Sequence, residues 1–421
     1  MSDHNNASSQ GAGASPTIVH FARQPIYDRD LNVYGYELLF RESEHNAAIL
    51  EGDREAGKVA SARVLLNAIM DLDLEQIAES RPAFLNLSRE FLLDDSGLLL
   101  AGDKTGIEVP CATCNDDEVT RTLKILSLQG FTIVLDDFSW QPGIERLLEQ
   151  ARLVKIDIHK TGEDELPGLL EQLRDWPVQR VALKVETREE FDRCQQLGFD
   201  YFQGFFLCKP RVVRAHRLPD SKINTLRLIG ALQNPDVTPE ELEAIIRNDL
   251  ALHYRLLRTV NSTYYGLSVE VKSIAHAIVY LGIATIKRWA HLQLVAGTDD
   301  KPSEVLRLAL VRARMCEQLM PNLTRETRDT AFTTGLFSLL DGALDTSMEL
   351  ILAHLPLDQD IVRALVDYEG PYGRLLRTVV CYENGEWEQL AQEEFFSLDS
   401  ITACYLEALQ WARAQFAALG A

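Results

Sequence analysis

The sequence predicts a mixed α/β barrel followed by an all-helical region. Over residues 17–210, short β-like apolar runs alternate with helical stretches, and eight of the runs are strand candidates. The run Phe131–Phe138 is mostly apolar and ends in Asp136 and Asp137, which is typical of a strand buried on both faces of a parallel sheet. After Pro210 only helical periodicities remain. Together these observations predict a modified TIM (β/α)8 barrel and a helical domain behind it.

The first two strand candidates, Thr17–Ala22 and Val33–Phe40, are joined by a segment too short for a crossover helix. They are therefore predicted to pair as an antiparallel hairpin, which gives the barrel one antiparallel strand. The later strands are predicted at Ala83–Leu87, Gly106–Val109, Phe131–Leu135, Leu153–Ile156, Arg180–Val185 and Asp200–Phe205. Helices between several of them are predicted at Ala56–Leu74, Asp117–Leu128 and Arg188–Leu197.

The second half of the chain is predicted to be helical throughout. Thr238-Pro-Glu-Glu241 places a capping hydroxyl, a proline and an acid in the order that favours a helix start. Helices are predicted at Lys222–Leu232, Pro239–Asn248, Ala251–Val260, Ser273–Leu281, Ile283–Val295, Ser303–Met320 and Arg325–Leu340, with more beyond Leu357. The predicted organisation is a disordered tail over 1–16, a barrel domain over 17–210 and a helical domain over 211–421.

Composition narrows the functional classes. The 421 residues carry a formal charge of −21, which argues against nucleic acid as a partner, and no apolar run is long enough to span a membrane. Residues 1–16 lack the layout of a signal peptide, and seven scattered cysteines predict free thiols, so a cytoplasmic location is expected. Cys111 and Cys114 have a metal-site spacing, but no second pair follows, and coincidence is the favoured interpretation.

Polar residues recur on the predicted strands of the barrel, most of them at or near strand ends. Such a barrel gathers the carboxyl ends of its strands at one mouth, where catalysis and ligand binding are located. Carboxylate and amide oxygens suit Mg²⁺, and a lysine can stabilise phosphate charge. Taken singly, Asp136 could cap a turn and Lys155 could be a solvated charge. Taken jointly, the set favours a binding site: Glu37, Asn86, Glu108, Asp136, Asp137, Lys155 and Gln203.

Short segments in the first half of the chain follow one another in a recognisable order: Gln24-Pro-Ile26, Gly35-Tyr-Glu-Leu-Leu-Phe-Arg41, Asn86-Leu-Ser88, Glu108, Leu135-Asp-Asp-Phe138, Lys155-Ile-Asp157, Val185-Glu-Thr187 and Gln203-Gly-Phe205. In these segments the chain resembles the EAL-domain cyclic di-GMP phosphodiesterases. The resemblance implies a modified TIM barrel that binds cyclic di-GMP. In a complete member, two Mg²⁺ or Mn²⁺ ions support its hydrolysis to linear pGpG.

The resemblance also implies roles for individual residues. Asp136 and Asp137 would hold the second ion, and Lys155 would orient the attacking water or stabilise phosphate charge, so that Lys155 and Asp137 are the catalytic candidates. Arg41 would contact a ligand phosphate, and Gln203 and Glu37 complete the ligand-binding set. The ligands implied for the first ion are Glu37, Asn86, Glu108 and Asp136.

Departures from the family pattern fall at the implied catalytic site. Leu183 occupies the position of a catalytic glutamate, and an alkyl chain neither ligates a cation nor accepts a proton. Cys111 replaces a loop-stabilising glutamate, and Asp136-Asp-Phe-Ser-Trp-Gln141 replaces the family loop that couples the metal site to dimerisation. The signature itself reads Glu37-Leu-Leu39, a mild change. Strand alternation predicts that Lys184 points to the opposite face from Leu183.

The second half contains three characteristic segments, Ile245-Ile-Arg-Asn-Asp-Leu-Ala-Leu252, Leu256-Leu-Arg-Thr-Val-Asn-Ser262 and Ser273-Ile-Ala-His-Ala-Ile278. In these segments it resembles the HDOD domain, a helical relative of the HD phosphohydrolases. It implies a signalling or scaffolding module with protein partners. Because the sequence has no His-Asp dipeptide, metal-dependent hydrolysis by this half is not expected.

The favoured function is a degenerate EAL module that senses cyclic di-GMP or contacts partners, coupled to an HDOD signalling domain. Leu183, Cys111 and the altered loop motivate this interpretation. The alternative is an active phosphodiesterase that uses Mg²⁺ or Mn²⁺, motivated by the retained acids and Lys155. A third alternative is a barrel that no longer binds the dinucleotide. A homodimer is left open, and no membrane partner is expected.

Overall fold

The computed structural model describes residues 20–40, 77–93, 102–207 and 220–419, the last range with interruptions at 235, 249, 262–270, 272, 297–302, 321–323, 345–346, 354, 356 and 393–394. Eight strands close into a barrel in chain order. They are β1 Phe21–Tyr27, β2 Val33–Phe40, β3 Ala83–Asn86, β4 Thr105–Pro110, β5 Thr132–Asp136, β6 Leu153–Asp157, β7 Gln179–Leu183 and β8 Tyr201–Phe202. The predicted barrel is confirmed.

Strand β1 runs antiparallel to both of its neighbours. It pairs with β2, where Gln24 lies opposite Glu37, and it meets β8 through Tyr27 and Phe202. All other neighbouring strands are parallel. The expected single antiparallel strand is therefore present, and it closes the barrel.

The predicted position of the first strand is wrong. The sequence analysis placed it at Thr17–Ala22, whereas β1 continues through Arg23, Gln24 and Pro25, and residues 17–19 lie outside the described ranges. Pro25 is tolerated because the bridge from β1 to β8 falls at Tyr27, away from the missing N–H group. Because both faces of β1 carry polar side chains, the apolar run in the sequence ends several residues before the strand does.

The interior of the barrel is a packed apolar plug beneath the carboxyl ends of the strands. The Phe84 ring fills the space beside two glycines on adjacent strands. A β-carbon on Gly106 would lie 2.2 Å from that ring, and one on Gly35 would lie 2.7 Å from it. The plug separates the two ends of the barrel. Its buried members are Ile26, Phe84, Val134, Leu153 and Val181.

Short helices follow most of the barrel strands. The predicted helix Asp117–Leu128 is confirmed, and Asp116 caps it by accepting from two backbone N–H groups. The predicted helix Ala56–Leu74 lies outside the described residues. The helices are α1 Arg89–Leu92, α2 Cys111–Cys114, α3 Asp117–Leu128, α4 Glu145–Leu148, α5 Ile158–Thr161, α6 Leu166–Gln172 and α7 Arg188–Gln196.

From residue 220 onward the described chain is helical, as predicted. The capping box at Thr238 and Glu241 is formed, with side-chain to backbone hydrogen bonds of 3.3 and 3.0 Å. No helix within the described ranges is long and apolar enough to cross a membrane. The helices are α8 Asp220–Gln233, α9 Pro239–Arg247, α10 Leu250–Val260, α11 Ile274–Leu281, α12 Ile283–Ala296, α13 Ser303–Gln318, α14 Arg325–Phe337, α15 Leu340–Leu344, α16 Met348–Leu352, α17 Gln359–Asp367, α18 Gly370–Glu383, α19 Trp387–Leu390 and α20 Leu398–Leu419.

The last long helices return to the first strand of the barrel. The Tyr382 hydroxyl on α18 donates to the Phe21 carbonyl oxygen at 2.9 Å. On α20, the Tyr405 ring packs edge-on against the Phe21 ring with centroids 6.1 Å apart. A buried, bidentate ion pair joins α13 to α18. Arg312 donates from Nε and Nη2 to the two carboxylate oxygens of Glu383, at 2.8 and 2.9 Å. The helical region therefore covers the outer face of β1.

Gly204→Ala tests the close approach between β8 and the chain after β7. A β-carbon at Gly204 would lie 2.0 Å from the Val185 carbonyl oxygen, at a φ of +153°. We expect the substitution to lower the free energy of unfolding by at least ~2 kcal/mol, because backbone must move to admit the methyl group. Urea denaturation of the full chain measures this loss.

The control is Gly168→Ala in α6, where nothing lies within 4 Å of the added carbon. Alanine there should stabilise the chain by about 0.5–1 kcal/mol through helix propensity. Equal effects of the two substitutions would contradict the clash at Gly204.

Candidate active site

Polar side chains from the strands line the carboxyl-end mouth of the barrel. Most share a strand face with a residue of the interior plug, as Lys155 does with Leu153 and Asp136 does with Val134. Because strand residues alternate between faces, all of these side chains point inward above the plug. They are Gln24, Glu37, Asn86, Glu108, Asp136, Lys155, Leu183 and Gln203, from β1 to β7 and the residue after β8.

Lys155 lies at the centre of this ring. Its ammonium is 2.6 Å from Glu37 Oε2 and 2.5 Å from Glu108 Oε1, and its side chain is 1% exposed. Burial alone lowers the pKa of an ammonium, but the carboxylates of Glu108 and Glu37 outweigh it, so the pKa of Lys155 is raised. Lys155 is therefore a permanently charged counter-ion and not a solvated strand-end residue.

Glu108 is the most constrained acid of the ring. It is fully buried, and among the described residues no donor hydrogen-bonds to its Oε2 atom. Burial, and then the nearby charge of Glu37, raise the pKa of Glu108 well above its ordinary value. Burial also raises the pKa of Asp136. The mouth therefore holds more carboxyl groups than one ammonium keeps ionised.

Gln203 connects the two strands of the antiparallel pair at the mouth. Its side-chain nitrogen donates to Glu37 Oε2 at 2.6 Å and to Gln24 Oε1 at 2.8 Å. The predicted site residue Gln203 thus lies against Glu37. Gln24 was missed as a site residue, although its position opposite Glu37 in the hairpin register was a usable signal.

Leu183 is the apolar member of the ring. It ends β7 opposite Asp157 of β6, and its side chain packs partly buried against the interior plug. The alkyl group thus extends the plug upward on this side of the mouth. No proton acceptor or cation ligand is supplied from position 183.

Two lysines pair with acids beside Leu183. The Lys184 ammonium is 2.7 Å from Asp157 Oδ2, and Lys160 pairs with Asp137. The hydrogen bond to Asp157 raises the pKa of Lys184, and the charges of Asp137 and Asp136 raise it further. The expectation that Lys184 points away is wrong. Its φ of +60° breaks the strand alternation immediately after β7, so its ammonium reaches an acid on the same face of β6 as Lys155.

Comparisons with known proteins identify the two halves. The EAL domain family matches residues 18–210, and the HDOD domain family matches residues 218–341. A Vibrio cholerae protein named cyclic di-GMP phosphodiesterase CdgJ is 34% identical over 406 residues, covering 94% of this chain and 92% of the relative. This chain belongs to the EAL–HDOD family.

Two further similarities accompany this assignment. The uncharacterized protein YuxH of Bacillus subtilis is 31% identical over 414 residues, which are 93% of this chain and 98% of YuxH. Among solved structures, Klebsiella pneumoniae BlrP1 in a calcium and cyclic di-GMP complex is 24% identical. It aligns with a TM-score of 0.37 over 48% of this chain and 58% of its own length.

Two of the departures from the EAL pattern touch each other. Gln141, in the altered loop after β5, donates from its side chain to the Cys111 carbonyl oxygen at 2.9 Å. The Cys111 side chain is buried, and burial raises the pKa of its thiol to about 12, so the thiol stays protonated near neutral pH. The altered loop is therefore held by a backbone contact at position 111 and not by an acid there.

The structure brings most of the predicted EAL site residues together. Glu37, Glu108 and Lys155 are in direct contact, whereas Asn86 is exposed at the end of β3. Asp137 lies at the edge, with a left-handed φ of +47°. Arg41 lies outside the described residues. Sequence reasoning missed Asp157, Lys160 and Lys184 as parts of the mouth, because their pairing depends on the backbone after β6 and β7.

The oxygen atoms of the mouth suit one hard divalent cation. Glu108 Oε2 is buried without a hydrogen-bond donor in the described part of the chain, and the carboxyl groups of Glu37 and Asp136 also lie near the single ammonium of Lys155. Within those same ranges, no three acidic, histidine or cysteine side chains form a ready-made ligand cluster. The Lys155 ammonium instead stands between Glu37 and Glu108. The fit therefore rests on the donor chemistry and on the number of carboxyl groups around one ammonium.

Lys155→Met should strongly destabilise the metal-free chain. Glu37 and Glu108 would lose their buried counter-ion, and breaking a buried ion pair in this way costs about 3–5 kcal/mol. Urea denaturation in a chelator measures the change. The matched control is Lys160→Met, which removes a solvent-exposed pair with Asp137 and should cost less than about 1 kcal/mol. A similar loss in both variants would contradict the central role of Lys155.

Proposed function

We propose that this chain is a cyclic di-GMP-binding signalling protein whose EAL barrel hydrolyses the ligand weakly or not at all. Membership of the EAL–HDOD family supports the ligand class, as does the name of the Vibrio cholerae relative. The observation that carries the proposal is Leu183, whose alkyl side chain lies in the ring of site residues where an acid is needed.

The retained residues have assigned roles in this proposal. Arg41 and Gln203 contact the ligand, and Lys155 orients water or stabilises phosphate charge. Asp137 lies beside the cation ligands. A bound Mg²⁺ or Mn²⁺ ion would polarise a phosphate oxygen and activate water. The residues that would hold this cation are Glu37, Asn86, Glu108 and Asp136.

Catalysis is proposed to be impaired on the β7 side of the mouth. Position 183 offers no carboxylate, and the acids next to it are engaged by lysines, Asp157 by Lys184 and Asp137 by Lys160. Losing one positioned acid or base typically lowers a rate by about 10²–10⁴. The ammonium groups of Lys184 and Lys160 also supply positive charge that a second cation would otherwise provide. In this proposal the anionic ligand is therefore bound, but its phosphate is poorly activated for hydrolysis.

The HDOD half is proposed to pass the binding signal to protein partners in the cytoplasm. The alternative function is an active phosphodiesterase that produces pGpG. The name of the Vibrio cholerae relative favours it, together with the contact of Glu37, Glu108 and Lys155 at the mouth. The two functions differ in whether bound cyclic di-GMP is converted to product.

The first prediction concerns binding. We expect calorimetric titration with cyclic di-GMP to give saturable binding in Mn²⁺, with little or no pGpG detected by chromatography of the same sample. Asp136→Ala should abolish the Mn²⁺-dependent binding, whereas Asp175→Ala, at an exposed position remote from the mouth in sequence, should not. Rapid metal-dependent turnover by the natural chain would establish the phosphodiesterase instead. Absence of both binding and turnover would leave a scaffold for partners.

The second prediction concerns position 183. Leu183→Glu should raise the hydrolysis rate by at least about 10²-fold, because it restores a proton acceptor and cation ligand. Bound Mn²⁺, measured by mass spectrometry of the native protein, should rise from one ion per chain to two. Leu183→Gln is the control, since it has the same shape without the charge, and it should change neither quantity. If Leu183→Glu leaves both unchanged, Leu183 is not the limiting departure.

A further inference from the structure

The outer faces of β1 and β2 carry a buried polar network that reaches the helical region. The Arg23 guanidinium lies 4.3 Å over the centre of the Tyr36 ring. It also donates to the Ile77 carbonyl at 2.6 Å and pairs with Glu79 at 2.9 Å. Both Arg23 and Tyr36 are buried although they point away from the barrel interior.

Helices of the second half complete this network. The Tyr36 hydroxyl lies 3.2 Å from both carboxylate oxygens of Glu304 on α13. Arg307, one turn later, pairs with Glu304 at 3.3 Å and also with Glu79. From α20, the Tyr405 hydroxyl accepts the Arg23 backbone N–H group at 3.3 Å. We call Arg23, Tyr36, Glu79, Glu304 and Arg307 the interdomain network.

Burial of the network makes a partial separation of the helices from the barrel unfavourable. Glu304 and Arg23 are only 5% and 7% exposed, so each depends on its partners in place of water. A partial separation would leave charges buried without their partners. The contacts of the network therefore hold the outer faces of β1 and β2 against the helices.

The same two strands carry site residues on their inner faces. Gln24 follows Arg23 and Glu37 follows Tyr36, and the register places Gln24 opposite Glu37. The two residues that follow Glu37 on β2 are also closely packed. Leu38 is buried, and the backbone at Gly385 approaches Leu39 so closely that a β-carbon on Gly385 would lie 3.2 Å from the Leu39 side chain. Alternation along a strand therefore places each inward site residue directly beside an outward network residue.

We propose that Glu304 is a positioning residue for Glu37, acting through Tyr36 and Arg23, so that docking of the helical region sets the affinity of the barrel mouth for a cation. Neither Glu304 nor Tyr36 touches the site. Their effect is transmitted by β1 and β2, and it runs in both directions, because cation binding at Glu37 must then favour the docked helices by the same factor. The cation itself is taken from the proposed function.

The test uses the full chain and Mn²⁺ as the probe. Glu304→Gln and Tyr36→Phe should each raise the Mn²⁺ dissociation constant by about 2- to 30-fold, the usual range for coupling between residues and a distant site. The double variant should bind no more weakly than Glu304→Gln alone, because the two residues act through one contact. Glu317→Gln is the matched control, since it is the same change on α13 at a residue paired with Arg314 at 2.7 Å.

Hydrogen exchange gives a second readout that does not depend on metal. Glu304→Gln should speed amide exchange in the peptide 33–40, and Glu317→Gln should not. In the natural chain, Mn²⁺ should slow exchange in the peptide 303–318. Tyr36→Phe removes one hydroxyl only and keeps the test available if Glu304→Gln fails to fold.

The outcomes separate this inference from the proposed function. If the natural chain does not bind Mn²⁺, the proposed function fails and the exchange of 33–40 decides the positioning role alone. If both variants fold, and bind Mn²⁺ with the affinity of the natural chain while exchange in 33–40 is unchanged, the positioning role is overturned. If the variants have a lower melting temperature but unchanged Mn²⁺ affinity and unchanged exchange in 33–40, the network has a structural role only and the positioning role is overturned.

Discussion

The buried ammonium of Lys155 is the interaction on which the barrel mouth depends. Directly beneath it lies an apolar plug, so no solvent reaches the acids from below. Lys155 on β6 pairs with Glu37 on β2 and Glu108 on β4, and it thereby ties together strands that are not neighbours in the sheet. Because one ammonium serves two carboxyl groups and the pKa of Glu108 is raised, a further cation would favour the ionised form of Glu108.

A second constraint is the alternation of side chains along β1 and β2. In a regular TIM barrel the outward residues pack against helices that follow their own strands. Here β1 is antiparallel, and helices from the far end of the chain cover its outer face. The strand that closes the barrel therefore depends on the second half of the sequence. The helices that cover it, α18 and α20, lie beyond residues 218–341, which match the HDOD family.

Sequence reasoning predicted the barrel, the antiparallel strand and the clustering of Glu37, Glu108 and Lys155, because these follow from local periodicity and from the geometry of parallel strands. It placed β1 four residues early, since polar residues on both faces of a strand give no apolar run. It also predicted the wrong direction for the Lys184 side chain. Lys184 itself has a left-handed backbone conformation, which interrupts the alternation of side chains after β7. The interdomain network joins residues more than 260 positions apart, which no local pattern contains.

The proposed loss of catalysis and the proposed coupling support one another physically. A receptor reports its ligand only while the ligand stays bound, and an efficient phosphodiesterase ends that state by cleaving it. Leu183 places an alkyl group on β7 at the mouth, and it lies apart from β1 and β2, which carry Gln24 and Glu37 inside and the network outside. Binding energy at Glu37 is then available to bias the docked helices, because a ligand shifts a conformational equilibrium only by its difference in affinity for the two states. Leu183 on β7 and the network on β1 and β2 lie on different strands, so a change of chemistry at position 183 leaves the connection to the helical region in place.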